Sequence, residues 1–83
     1  MGEVKEGEVY RHFKGTFFYI ICVAQDSETC ERTVVYRHLD DTKGIWTRKE
    51  KMFFEEIPER PDNVTRQKHR FERVDNLTDY YLK

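Results

Sequence analysis

The sequence predicts an all-β protein, a small antiparallel barrel of five to six short strands. Three observations predict this fold class. The chain has 83 residues, which is enough for one domain only. Aromatic residues make up 14% of it, and short runs of aromatic and β-branched residues alternate with polar turns. Because a closed sheet has no free edge to protect, we expect an SH3-like barrel.

The first half of the chain contains three predicted strands. Residues 8–13 alternate between two faces, and Lys14-Gly15 follows as a turn, since glycine accepts a positive φ. Residues 16–25 form the strongest strand and are apolar on both faces, so we expect this strand to be buried on both sides or to bend. Asp26 and Ser27 begin a polar turn, and residues 32–39 form the third strand.

The second half is less regular. Residues 45–48 predict a fourth strand, and residues 52–57 fit either a strand or a short helix. Pro58 and Pro61 end regular structure because proline lacks an amide donor and restricts the residue before it. Residues 58–68 are therefore predicted to form a long loop, and residues 69–74 a last strand.

These elements define a single domain over residues 8–74. Residues 1–7 are charged and show no periodicity, so they are predicted to be a flexible leader. Residues 75–83 have Leu77, Tyr80 and Leu82 at near-helical spacing, which predicts a short helical turn or a disordered tail.

Composition excludes several classes of function. Fifteen Lys and Arg against sixteen Asp and Glu give a net charge of −1, so no global field attracts polyanions or acidic membranes. The longest apolar run, residues 17–24, is far shorter than the roughly 20 residues of a membrane span, so we expect no membrane contact. Cys22 and Cys30 form no disulfide framework and no secretory segment opens the chain, which predicts reduced thiols and a cytoplasmic location.

A series of short motifs carries a family resemblance. In chain order they are Tyr10-Arg11-His12-Phe13-Lys14-Gly15, Val23-Ala24 with Ser27-Glu28-Thr29, Val34-Val35-Tyr36, Trp46 with Arg48, Met52-Phe53 with Glu55-Glu56, and Arg70-Phe71. The chain resembles the bacterial family catalogued as domain of unknown function 1653 over roughly residues 8–74. The resemblance implies a bacterial, stand-alone, small β domain and implies no reaction. The chain departs from the family pattern at Gln25-Asp26, Lys49 and Cys22, and in a longer loop at residues 58–68.

One set of side chains combines aromatic rings with cations. Guanidinium groups bind carboxylates and phosphates through paired hydrogen bonds, and rings supply a stacking face. The set is a candidate site for an anionic ligand and consists of Tyr10, Arg11, His12, Tyr36, Arg37, Trp46 and Arg48. The alternative is structural: the rings belong to the core, and the arginines cap them or pair with Glu28, Glu55 and Glu56.

Neither a metal site nor a catalytic site is predicted. The spacing of the three histidines (His12, His38, His69) and two cysteines fits no zinc pattern. No histidine lies beside Cys22, Cys30 or Ser27 in the sequence to activate a nucleophile. We therefore predict no catalytic residue, no metal and no cofactor.

The sequence favours a non-enzymatic binding module for a small anionic ligand or a peptide. Single-stranded nucleic acid is an alternative partner but is not favoured, because residues 60–73 carry five Lys or Arg against only two acidic residues, a modest excess. A protein-interaction module is the third class, in which an exposed strand edge or the Phe53-Phe54 and Tyr80-Tyr81 pairs contact a partner or a second copy. The expected oligomeric state is a monomer or a weak homodimer.

Overall fold

The structure is a computed structural model that describes residues 3–41 and 44–75. Its elements are β1 (Val9–His12), β2 (Phe17–Gln25), β3 (Arg32–His38), β4 (Ile45–Lys49), the helix α1 (Glu50–Phe53) and β5 (Phe71–Arg73). Each predicted strand is present, and of the two alternatives for residues 52–57 the helical one is closer, although α1 begins and ends earlier. No helix in the described ranges is long and apolar enough to cross a membrane.

The strands form one antiparallel sheet in the order β4-β3-β2-β1-β5. The predicted all-β class is confirmed, but the expected closure into an SH3-like barrel is not found. Among the described residues β4 and β5 are the two edges and do not pair with each other. Closure would bring these edges together over the core face, where Phe53 of α1 lies, its ring centroid 4.1 Å from that of Phe71. The helix therefore covers the core that a closed barrel would enclose.

Strand β2 changes register along its length. It pairs with β3 as Ile20↔Tyr36 and then as Cys22↔Val35, so a β-bulge lies between Ile20 and Cys22. A bulge bends a strand and increases its local twist. The bulge also changes which alternate residues of β2 face the core: Ile20 before it is fully buried in the core cluster, and Val23, three positions later, also packs against that cluster.

Residues 3–7, predicted as part of a flexible leader, pack onto the domain. Val4 is fully buried in the core cluster. Its amide donates to Glu50 Oε2 at 3.0 Å, and its carbonyl accepts from Arg32 Nη2, also at 3.0 Å. A single valine among charged residues gives no periodic signal, and its partners are distant in sequence. The local pattern therefore missed this contact.

The turns follow the predicted chemistry. Gly15 has a φ of 99° between β1 and β2. Between β2 and β3, Asp26 Oδ1 accepts hydrogen bonds from the amides of Glu28 at 2.8 Å and Thr29 at 3.1 Å. These two bonds lower the pKa of Asp26. Of the predicted tail, only Asp75 lies within the described residues.

Two buried amide side chains hold the long loop at residues 58–68. Asn63 and Gln67 are 9% and 5% exposed. Asn63 Nδ2 donates to the carbonyl of Gln67 at 2.9 Å, and Asn63 Oδ1 accepts from the amide of Gln67 at 3.1 Å. Gln67 Nε2 donates to the carbonyls of Arg11 and His69, at 3.0 and 3.1 Å. The loop is thus hydrogen-bonded to β1 through Gln67.

We expect Gln67→Ala to lower the free energy of unfolding by about 1–2 kcal/mol, because it leaves buried carbonyls without donors. Amide hydrogen exchange should increase in residues 58–68 more than in β2. Lys68→Ala, at an exposed neighbouring position, is the matched control and should change stability by less than about 0.5 kcal/mol. Equal stability of the two variants in urea would show that Gln67 does not hold the loop.

Candidate functional site

The strand register separates the seven candidate residues onto two faces of the sheet. Tyr10 and His12 of β1 and Tyr36 of β3 lie on the core face, which α1 covers in part. The pairs Tyr36↔Trp46 and Val34↔Arg48 place both β4 residues on this face as well. Arg11 and Arg37 alternate to the opposite face. The structure therefore brings five of the seven residues to one face and leaves two on the other.

Tyr10 and Tyr36 belong to the core. Tyr10 is 3% exposed and Tyr36 is 5% exposed. The hydroxyl of Tyr10 donates to Glu8 Oε1 at 3.3 Å, and burial, followed by the nearby charge of Glu8, raises the pKa of Tyr10. For Tyr10 the geometry fits the structural alternative, because its hydroxyl already has a partner.

Arg11 and Arg37 are engaged on the opposite face. Arg11 Nε donates to Gln67 Oε1 at 2.7 Å. The guanidinium carbon of Arg37 lies 4.6 Å from the ring centroid of Tyr19, and its Nη1 donates to the carbonyls of His38 and Leu39. These contacts fit the alternative in which arginines cap aromatic rings and backbone groups.

Phe71 is the centre of the aromatic cluster on the core face. Its own side chain is 1% exposed. The ring centroids around it lie between 4.1 and 5.8 Å away and belong to Phe53, His12, Phe18 and Tyr36. Edge-to-face and offset-stacked pairs of this kind add to the stabilisation from buried area. The sequence did not place Phe71 or Phe18 in the candidate site, because the register that joins five strands is not a local property.

Arg48 is held at the border of this cluster. Its Nε donates to the hydroxyl of Tyr36 at 3.3 Å, and its guanidinium carbon lies 5.7 Å from the ring centroid of Phe71. Within residues 3–41 and 44–75 Arg48 forms no ion pair with a carboxylate, in contrast to Arg70, which pairs with Glu55 at 2.9 Å. Two fixed contacts orient the guanidinium, and no described carboxylate neutralises it.

His12 is a neutral imidazole in a positive field. Its Nδ1 accepts a hydrogen bond from the amide of Lys14 at 3.1 Å, so the ring proton is on Nε2. The cations near it are Arg70, Arg48 and Lys14. Burial first, and then the charges of these cations, lower the pKa of His12 to about 4. The site therefore disfavours a further positive charge at the imidazole and favours a negative one beside it.

Trp46 supplies an exposed ring near Arg48. Its side chain is 52% exposed, and it lies two residues before Arg48 on the same face of β4. The indole folds back over Gly44: a Cβ placed on that glycine would lie 3.0 Å from Trp46 Nε1. Glycine at this position therefore allows the observed position of the indole. We call Arg48, His12 and Trp46 the basic-aromatic site.

A concave region lies at the long loop, away from Arg48 and Trp46. An open pocket of about 860 Å³ is lined by side chains of residues 57–67, among them Arg60 and Arg66. Arg60 is paired with Asp62, with Nη2 and Oδ2 2.9 Å apart. The sequence did not predict this pocket, because Asn63 and Gln67 shape the loop through tertiary contacts. No group of three or more metal-ligating side chains occurs among the described residues.

The comparison with protein families settles the relationship suggested by the motifs. Residues 8–73 match the family model described as "Protein of unknown function (DUF1653)". The chain belongs to the DUF1653 family. The match covers β1 through β5, so the whole described sheet lies within the DUF1653 region. No curated protein and no solved structure matches the chain. Family membership confirms the predicted resemblance and brings no reaction with it.

Proposed function

We propose that this DUF1653 protein is a non-enzymatic binding module for a small anion that bears a phosphate or carboxylate group. The observation that carries the proposal is the guanidinium of Arg48, oriented by Tyr36 and Phe71 without an ion pair to a described carboxylate. An oriented guanidinium binds such anions through two parallel hydrogen bonds. The cytoplasmic location and bacterial origin predicted from the sequence belong to the same proposal.

The electrostatics of His12 support an anion at this position. Its neutral ring keeps an Nε2–H that no described residue accepts, and Arg70, Arg48 and Lys14 make its surroundings positive. Lys14 and Arg70 are each near a carboxylate, Asp62 at 3.9 Å and Glu55 at 2.9 Å. An anion beside Arg48 and His12 would therefore gain from a field that these two ion pairs only partly offset.

The ion pairs in the second half of the chain favour a small anion over nucleic acid. Of the five Lys or Arg at residues 60–73, three contact carboxylates: Arg60, Arg70 and Arg73. Paired cations release fewer counterions from a polynucleotide, so they add less to its binding. The basic segment therefore offers little of the continuous charge that a single strand requires.

The test is a titration with inorganic phosphate, small carboxylates and nucleotides, followed by the fluorescence of Trp46, the only tryptophan. We expect a saturable change in wild-type protein. Arg48→Ala should weaken binding by about tenfold or more, because a hydrogen bond to a charged group contributes about 1.5–3 kcal/mol. Arg48→Lys keeps the charge but loses the two parallel hydrogen bonds, so its affinity for the anion should lie between those of the wild-type and Arg48→Ala proteins.

Arg66→Ala is the matched control, since Arg66 is an exposed arginine of the loop at residues 58–68 and is not part of the basic-aromatic site. It should bind like wild type. Equal affinity of the Arg48→Ala and wild-type proteins would remove the site from the proposal. A preference for oligonucleotides that disappears at moderate salt would replace the small anion with nucleic acid.

A further inference from the structure

Strand β4 is a largely exposed edge of the described sheet. On the described part of the chain it pairs with β3 only, so one side of its backbone has no strand partner. Ile45 is 64% exposed and Trp46 is 52% exposed. An edge strand with exposed large hydrophobic residues is a template for pairing with another strand.

The opposite edge lacks these properties. Strand β5 has only three residues, and Arg73 within it pairs with Glu8 at 3.2 Å. Charged and short edges resist pairing with another chain. Of the two edges of the described sheet, β4 is therefore the one suited to an intermolecular contact.

The sequence of β4 is complementary to itself. In an antiparallel pair, two residues that lie opposite each other both direct their backbone N–H and C=O groups toward the partner strand, or both direct them away from it. These directions alternate along a strand, so in a pair of identical strands the numbers of two opposite residues must add up to an even number. The register centred on Thr47 satisfies this condition and pairs all five residues. It places Ile45 opposite Lys49, Trp46 opposite Arg48, and Thr47 opposite Thr47 of the second copy. A register centred one residue away, on Trp46 or on Arg48, would pair only three residues of each strand and would place that central residue opposite the same residue of the second copy.

Each pair in the centred register is favourable. Trp46 lies opposite Arg48 of the second copy on the same face, where its ring can pack on the aliphatic part of that side chain while the guanidinium keeps its contacts with Tyr36 and Phe71. Thr47 opposite Thr47 is a favourable cross-strand pair, and Ile45 packs on the aliphatic part of Lys49. We propose that two copies of this chain associate through antiparallel β4 strands centred on Thr47, forming a continuous sheet with twofold symmetry.

The experiment uses charge at the twofold position. Thr47 is exposed, and its side chain lies on the face opposite Arg48, so Thr47→Glu and Thr47→Lys leave the basic-aromatic site intact. In the centred register each variant sets two like charges opposite each other. Sedimentation equilibrium of wild-type protein should show the mass rising from 10.2 kDa toward twice that value with concentration. Each variant alone should remain at 10.2 kDa.

Mixing the two variants is the decisive step. An equimolar mixture of Thr47→Glu and Thr47→Lys should recover the dimer, because opposite charges then meet at the axis. Gln25→Glu and Gln25→Lys, exposed positions on the internal strand β2, are the matched charge controls and should dimerise like wild type. A wild-type mass of 10.2 kDa up to about 1 mM, or unchanged dimerisation of both Thr47 variants, would overturn the proposal.

Discussion

Phe71→Ala should lower the free energy of unfolding by about 3–5 kcal/mol, the range for removing a buried phenylalanine ring. The side chain is 1% exposed, and its ring contacts those of Phe53, His12, Phe18 and Tyr36. No single neighbour can fill the resulting cavity, because these rings come from different elements. For 83 residues, at about 0.05–0.15 kcal/mol per residue, the total stability is about 4–12 kcal/mol, so this variant should be close to unfolding at room temperature.

Urea denaturation followed by circular dichroism measures the effect. Val64→Ala is the matched control, since Val64 also loses an apolar side chain but is 67% exposed. It should change stability by less than about 0.5 kcal/mol. A Phe71→Ala protein with a urea midpoint close to that of the control would show that the aromatic cluster is not the main core of the fold.

Acidification from pH 6.5 to about 4 should destabilise the protein by about 1–2 kcal/mol through His12, because solvent screens part of the effect at this half-buried ring. The pKa of this histidine is lowered from 6.5 to about 4 by burial and by neighbouring cations. Between these two values the unfolded chain binds a proton that the folded chain does not. The stabilisation is therefore complete above pH 6.5 and is lost as the pH falls through this window.

His12→Asn tests this attribution. Asparagine can still accept the hydrogen bond from the amide of Lys14, but it does not titrate. In this variant the free energy of unfolding should no longer decline through residue 12 between pH 6.5 and 4. His69→Asn is the matched control and should keep this decline. Hydrogen bonds from Lys49 and Lys51 lower the pKa of Glu31 to about 2, so its contribution is lost only as the pH falls from 4.5 toward 2. An unchanged profile in His12→Asn would contradict the assignment.

The strands were predictable because their signals are local. Alternation in residues 8–13 placed Tyr10 and His12 on one side and Arg11 on the other, and the structure has the same division. The turn at Asp26 followed from a side chain that bonds amides two and three residues away. Such features depend on neighbouring residues only, so composition and periodicity contain them.

The remaining features depend on contacts distant in sequence. Gln67 lies 56 residues from its partner Arg11, and Val4 lies 46 residues from Glu50. The position of α1 over Phe71, which leaves the sheet open, is likewise a tertiary contact. The pairing of β3 with β4 separated Arg48 from Arg37 on the two faces, and no pattern within either strand specifies that pairing. The candidate set could therefore be proposed from residue types, and Arg11 could be separated from Tyr10 and His12 within β1, but the faces of different strands could not be matched to one another.

The most direct test of the anion-binding proposal is the pKa of His12, measured by NMR with and without inorganic phosphate at constant ionic strength. A phosphate held by Arg48 beside the imidazole would stabilise the protonated ring, so the pKa of His12 in wild-type protein should rise from about 4 when phosphate replaces chloride. Arg48→Ala removes one of the cations that lower this pKa, so its His12 should have a higher pKa than wild type in chloride, and phosphate should not change it further. A pKa of His12 in wild-type protein that is the same in phosphate and in chloride would contradict the account, because no anion would then occupy the basic-aromatic site.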